Sequence, residues 1–294
     1  MSKSPIAIIG LGLMGEVYAQ RLLDAHIPVT GFDVDPARRA RLAEIGGKPA
    51  DTIEELAVPA RCIIIAVFST DQVEDVIENH LLPALGNSSN KIVLCMSTCN
   101  PDQVAALAAR VMPRGIRYLD VPVSGTSDQV RRGDGVALIG GDKAVAGEVS
   151  DILDALFARR FHVGKIGDGG RAKLAVNLIL GLNRLALAEG LVFAERLGLD
   201  PAAFLEVAKG SASYSQVMET KGLKMVRGDF SPEGRVKQTL KDCHLMLDQA
   251  AAVGQTLSVL QVHADVLEAC AKAGEADLDN SAIIKEVRRR GVKT

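Results

Sequence analysis

Two periods of hydrophobicity divide the chain near residue 164. Before that point, short β-branched runs alternate with stretches of helical spacing, the pattern of parallel strands joined by right-handed crossovers. The spacing predicts strands at 5–9, 28–33, 62–68, 91–96, 116–122 and 136–141, and helices at 15–25, 36–45, 71–79 and 101–112. Pro36 and Pro101 stand near two helix starts, where a missing amide hydrogen costs nothing. The run CIIIAVF at 62–68 is apolar throughout rather than alternating, as in a strand covered on both faces.

After the glycine-rich, hinge-like stretch FHVGKIGDGG (161–170), the strand signature disappears. Helices are predicted at 171–197, 201–210, 214–227, 235–253, 257–273 and 280–290, broken by GLDP, GDFSPEG and KAGEADLD. The expected architecture is an α/β domain over 1–164 and an all-α domain over 165–294 that begins with one long helix. On that helix Lys173, Asn177 and Arg184 fall within roughly 40° of arc, with Leu174, Leu178, Leu182 and Leu185 turned elsewhere. Such a polar stripe is either wet surface or the wall of a cleft.

Composition narrows the partners. The 294 residues are 48% apolar and 24% charged with a formal charge of −2, which argues against a broad polyanion-binding surface, so no nucleic-acid partner is expected. The longest aliphatic stretch, 62–68, is far below the ~20 residues a membrane helix needs, and no membrane association is expected. The N-terminus runs straight into glycine punctuation without the features of a secretory signal, and the five cysteines are odd in number. Both point to reduced thiols in a cytoplasmic protein. Neither the cysteines nor the five histidines show metal-ligand spacing, so no metal is expected. The Asn-Ser-Ser triplet at 87–89 matches a glycosylation acceptor and is set aside as a chance match.

The sequence IIGLGLMG places Gly10, Gly12 and Gly15 in a G-x-G-x-x-G spacing between a strand and a helix. The first glycine permits a tight turn, the second close approach of a pyrophosphate, and the third close helix–strand packing. Leu11, Leu13 and Met14 complete the phosphate-facing turn, at the positive end of the helix. Asp33 ends the next strand, where a carboxylate can accept hydrogen bonds from an adenosine ribose and repel a 2′-phosphate. NAD is therefore expected in preference to NADP, with Arg38 and Arg39 taken as solvated helix surface.

Four separated motifs, GLGLMG, DVPVSG at 120–125, the lysine helix at 173–177 and LKD at 240–242, occur in an order that resembles the β-hydroxyacid dehydrogenases over nearly the whole chain. The resemblance implies a Rossmann-type N-terminal domain, a helical C-terminal domain with an active site in the cleft between them, and a homo-dimer or homo-tetramer. It implies Lys173 as the catalytic acid/base and Asn177 as its helical partner. Ser124, Gly125 and Thr126 match the substrate carboxylate clamp, and Lys241 the lysine that reaches the nicotinamide end of the cofactor. Ser97 and Thr98 match positions beside the nicotinamide ribose, while Val67 and Phe68 are expected to face the cofactor through their backbone. The implied activity interconverts a small 3-hydroxy acid and its semialdehyde.

This chain departs from the pattern at several places. Thr126 replaces a second clamp glycine, Glu233 and Gly234 replace Gly-Phe, Cys95 an aspartate, Phe68 a proline and Arg21 an asparagine. The loss of an aromatic wall at 233–234 predicts a roomier pocket. An imine reductase is disfavoured by Lys173, and a 6-phosphogluconate dehydrogenase by Val176 and the chain length. A catalytically silent NAD-binding interaction protein is disfavoured by the retention of Lys173, Asn177 and Lys241.

Overall fold

The structure, a computed structural model, describes residues 4–86 and 90–291; the triplet at 87–89 lies outside the described residues. The chain divides into two units, Met1–Lys173 and Leu174–Thr294.

In the first unit β1 (Ile6–Ile9), β2 (Val29–Phe32), β3 (Lys48–Pro49), β4 (Cys62–Ile65), β5 (Lys91–Cys95) and β6 (Ile116–Asp120) pair in parallel in the order β3-β2-β1-β4-β5-β6. The sheet then continues with β8 (Val136–Gly140), which is antiparallel to β6 and to β7 (Val123–Ser124) and parallel to β9 (Arg159–Gly164). The apolar runs are continuous because both faces are covered. Ile6, Ile8, Cys62, Ile64, Ile92 and Leu94 enter one core, while Ala7, Ile9, Ile63, Ile65, Val93 and Cys95 enter another. Strand order reverses between β1 and β4, which opens a crevice at their carboxyl ends.

The six predicted strands and four predicted helices of this half are present, and the fold class is as expected. Several short elements had no hydrophobic signal: β3, β7, β9 and the helices Ile53–Ala57, Ser127–Arg131, Lys143–Glu148 and Ser150–Leu156. The stretch 161–170 is mostly regular structure. Phe161–Gly164 belongs to the mostly exposed edge strand β9, and the next helix starts at Asp168. A Cβ on Gly169 would lie 2.7 Å from the Asp120 carbonyl oxygen and 2.8 Å from that of Leu138, so this glycine serves close approach of helix to sheet.

The helix Asp168–Arg196 crosses the boundary between the units. Among the described residues it is the one helix that reaches membrane-spanning length and hydropathy, a property absent from the aliphatic runs of the sequence. Leu185, Leu187, Ala188 and Leu191 nonetheless enter the apolar core of the second unit, together with residues of the helices Pro201–Lys209, Val236–Ala252 and Ser258–Cys270. Its other face leaves Ile179 and Phe193 exposed.

Asp120, at the end of β6, is 2% exposed and its Oδ2 accepts the Gly170 amide hydrogen at 2.8 Å. Burial raises its carboxyl from 3.8 to about 6, against the pull of the Gly170 and Gly167 amides. Between those values the folded chain holds a proton that the unfolded chain has lost, so stability falls as pH rises through that window. The shift corresponds to roughly 3 kcal/mol. Asp120→Asn keeps an acceptor for Gly170 and is expected to abolish this component, read as a flatter unfolding free energy in urea titrations between pH 4 and 6.5. An unchanged pH profile would place the ionisation elsewhere.

Candidate active site

The turn after β1 tolerates only glycine at two positions. Gly10 has φ +92°, and a Cβ there would sit 2.5 Å from the Ala66 carbonyl oxygen; a Cβ on Gly15 would meet the Gly10 oxygen at 1.9 Å. Gly12 caps the helix Leu13–Asp24 and no side chain satisfies its first amides, which point out from the positive helix end beside Leu13 and Met14. This cradle fits a dinucleotide pyrophosphate.

Asp33, 5% exposed, holds the turn in place. Its Oδ2 accepts from the Leu11 amide at 2.8 Å and from Arg38 Nη1 at 3.2 Å, and its Oδ1 accepts from the Asp35 amide at 2.9 Å. Arg38 is exposed and Arg39 partly so, as expected of helix surface, but both are held at Asp33. Arg38 also pairs with Asp35 at 3.6 Å, and Arg39 donates to the Asp33 carbonyl oxygen at 2.7 Å over the Phe32 ring. Their charge thus stands at the end of β2 beside the carboxylate.

At the ends of β4 and β5, Ser97 Oγ accepts the Val67 amide hydrogen at 2.9 Å, and Gln72 Oε1 accepts that of Phe68 at 2.9 Å. Both amides are therefore engaged within the unit. Thr98 lies beside the buried Ser97, half-buried. Cys95 and Cys99 form a buried, hydrogen-bonded thiol pair that holds the Cys95 thiol well above its ordinary range.

Beyond β7, Gly125 has φ +141° and Ser124 is half-buried. Thr126 has no need of a glycine's freedom: it is extended at φ −75° and forms a reciprocal cap with Gln129. Its amide donates to Gln129 Oε1 at 2.9 Å and its hydroxyl accepts from the Gln129 amide at 3.2 Å. An anion at this turn would meet Ser124 and Gly125 before it met Thr126.

The polar stripe on the long helix is not wet surface: Lys173 is 7% exposed and Arg184 9%. Asn177 Nδ2 donates to Asp242 Oδ2 at 2.9 Å, and Lys241 Nζ lies 3.2 Å from Asp242 Oδ1. Because a carboxylate only accepts, the amide nitrogen of Asn177 must face Asp242, which leaves Asn177 Oδ1 as a fixed acceptor one helical turn from Lys173. Asp242 is 6% exposed, so this is no surface charge pair. Its role was legible only as a carboxylate on the inner face of a helix.

The departure at Glu233 adds no loose carboxylate. Glu233 pairs with Lys221 at 3.0 Å and Lys224 at 3.5 Å, while Lys221, buried, also meets the wholly buried Asp279 at 2.9 Å. Asp279 accepts the Glu233 and Gly234 amides as well, so the loop that lost its aromatic residue is tied down by charge.

Residues 5–164 match the family profile described as the NAD binding domain of 6-phosphogluconate dehydrogenase, and 167–287 the profile described as NAD-binding of NADP-dependent 3-hydroxyisobutyrate dehydrogenase. The chain is 30% identical to 2-hydroxy-3-oxopropionate reductase of Escherichia coli, over 95% of this chain and 96% of that one. It is 29% identical to 2-(hydroxymethyl)glutarate dehydrogenase of Eubacterium barkeri, over 97% and 95%. The crystal structure of a 3-hydroxyisobutyrate dehydrogenase from Salmonella typhimurium superposes with a TM-score of 0.88 at 26% identity, covering 96% of this chain and 99% of that one. With the glycine turn, the strand order and the lysine helix in one continuous match, the chain belongs to the β-hydroxyacid dehydrogenase family.

Proposed function

We propose that the protein is an NAD-dependent dehydrogenase that interconverts a small 3-hydroxy acid and its semialdehyde, with Lys173 as general acid/base. The observation that carries this reading is the buried Lys173 on one stripe with Asn177, whose amide is oriented by Asp242. A nicotinamide dinucleotide held by the glycine turn and Asp33 supplies the hydride acceptor. Lys173, as the amine, takes the proton of the substrate hydroxyl, and as the ammonium returns it to the alkoxide in the reverse direction. Asn177 Oδ1 accepts from whichever of the two groups carries the proton, which holds donor and acceptor in line. Ser124 and the Gly125 backbone anchor the substrate carboxylate.

The preference for NAD rests on Asp33, a buried carboxylate at the end of β2. Arg38 supports acceptance of NADP as a second cofactor, since swinging away from Asp33 would free its guanidinium for a 2′-phosphate. A cytoplasmic homo-dimer or homo-tetramer is part of the same reading, supported by Ile179 and Phe193, 62% and 65% exposed on the long helix.

Lys173→Ala is expected to lower kcat by about 10²–10⁴-fold with 3-hydroxyisobutyrate while NAD still binds by fluorescence titration; unchanged turnover removes the assignment of the base. Asp242→Asn presents the Asn177 amide with an ambiguous partner, and a loss of about 100-fold in kcat with little change in KM is expected from steady-state kinetics. Asp33→Asn keeps the acceptor for Leu11 and removes the repulsive charge. Its ratio of kcat/KM for NADP over NAD is expected to rise about tenfold, and a wild type already faster with NADP would contradict the reading of the ribose pocket.

A further inference from the structure

The first turns of the helix Asp168–Arg196 are gripped on two sides. Asp120 holds the Gly170 amide from the sheet. Arg171, the next residue, reaches the other way: its Nη2 donates to Asp102 Oδ1 at 2.5 Å and its Nη1 to Asp168 Oδ1 at 2.8 Å. Asp102 stands in the first turn of the helix Pro101–Val111, so the fork of the guanidinium ties the starts of two helices together. The backbones also close here. Gly167 has φ +93°, and a Cβ on it would lie 2.8 Å from the Pro101 carbonyl oxygen, while one on Gly170 would lie 3.2 Å from Pro101 Cγ. The start of Pro101–Val111 is itself fixed to the loops at the carboxyl ends of β4 and β5. Asn100 caps it through the Asp102 and Gln103 amides, and the Asn100 amide donates to Thr70 Oγ1 at 2.9 Å. All of these residues belong to the unit Met1–Lys173.

At ~100° per residue, Lys173 lies about 60° round the helix from Gly170 and about 200° from Arg171. A helix pinned at one point can still turn about its axis, and a second attachment on the far side stops that motion. The size of the effect follows from the helix radius. A side chain ends roughly 6 Å from the axis, so a turn of about 10° carries it about 1 Å. A displacement of that size at a reacting group can cost about 10²-fold in rate. We propose that Arg171 is a positioning residue: braced on Asp102, it sets the rotation of the lysine helix and so the placement of the Lys173 amine. This rests on Lys173 as the proton-transferring group. The Arg171–Asp102 pair is exposed, so it contributes little to global stability, and what it supplies is geometry.

Arg171→Met is expected to lower kcat about tenfold with 3-hydroxyisobutyrate, with KM for NAD changed less than about twofold and Tm by less than about 3 °C. Asp102→Asn cuts the same link from the other helix and should reproduce the loss, and the double variant should be no slower than either single one. Arg171→Lys should recover part of the rate, since an ammonium keeps the charge without the fork. Arg110 is a matched control on the same helix as Asp102. It is similarly exposed and bridges Glu74 at 3.1 Å and Glu78 at 2.9 Å, and Arg110→Met should leave kcat unchanged. Hydrogen exchange read by mass spectrometry reports on the brace without turnover: peptides covering 168–176 should exchange faster in Arg171→Met and Asp102→Asn than in the wild type or Arg110→Met. If exchange rises in this way but the wild type oxidises no 3-hydroxy acid, the brace stands and the reaction falls. Exchange over 168–176 as slow in Arg171→Met as in the wild type overturns the brace. So does an unchanged kcat in an active protein, or additive losses in the double variant.

Discussion

The hydrogen bond from the Gly170 amide to Asp120 is the constraint on which the proposed chemistry depends. It fastens the first turn of the long helix to the end of a sheet strand, and Lys173 follows within the next turn. A proton-transferring amine must be held to a fraction of an ångström, and a helix anchored on a parallel sheet is stiffer than any loop. The anchoring has a cost, since burial desolvates the Asp120 carboxyl far enough to push it up to about 6. Gly169 shares that cost, since any side chain there would collide with the Asp120 and Leu138 carbonyl oxygens. Backbone freedom in the unfolded chain has been accepted in exchange for contact between helix and strand.

What could be read from the chain, and what could not, follows the same physics. Strands β1, β4 and β5 announced themselves because both of their faces are buried, which requires unbroken apolar runs. Strand β9 lies at an edge with Arg159, Arg160, Phe161 and His162 exposed, so no pattern of burial marks it, and Gly164 with the glycines that follow it reads as a hinge. Short helices such as Ser127–Arg131 are set by a reciprocal cap, a matter of two side chains rather than a period. Among the candidate site residues, the glycines of the turn were legible because steric exclusion leaves no alternative residue. The engagement of the Val67, Phe68 and Thr126 amides by Ser97, Gln72 and Gln129 was not, because hydrogen-bond direction is decided by tertiary geometry.

Arg38 and Arg39 show the limit from the other side. A charge on a helix one turn from a strand end reads as solvated surface, and the side chains are indeed partly exposed. Their partners are a carboxylate and a carbonyl oxygen of the same residue, Asp33, so the two arginines and the glycine turn form one electrostatic unit. Any anion or hydroxyl arriving at that turn therefore meets competition already in place, and selectivity between cofactors becomes a contest between Arg38 and the ligand for Asp33.

Among the described residues the second unit holds two buried cations, and they are treated in different ways. Lys221 has Asp279 and Glu233 at hydrogen-bond distance, and Asp279 is further satisfied by three amides; every charge in that cluster has a partner, and the cluster ties a loop to the helical core. Replacing it by apolar residues would be close to neutral for stability, which is the signature of a structural ion pair. Arg184 feels the same Asp279 carboxylate through space, but its Nε and Nη1 make no hydrogen bond. Its helix position was open to any aliphatic residue on packing grounds, with Leu185, Leu187 and Ala188 around it, and an aliphatic residue would have avoided the desolvation that lowers its pKa.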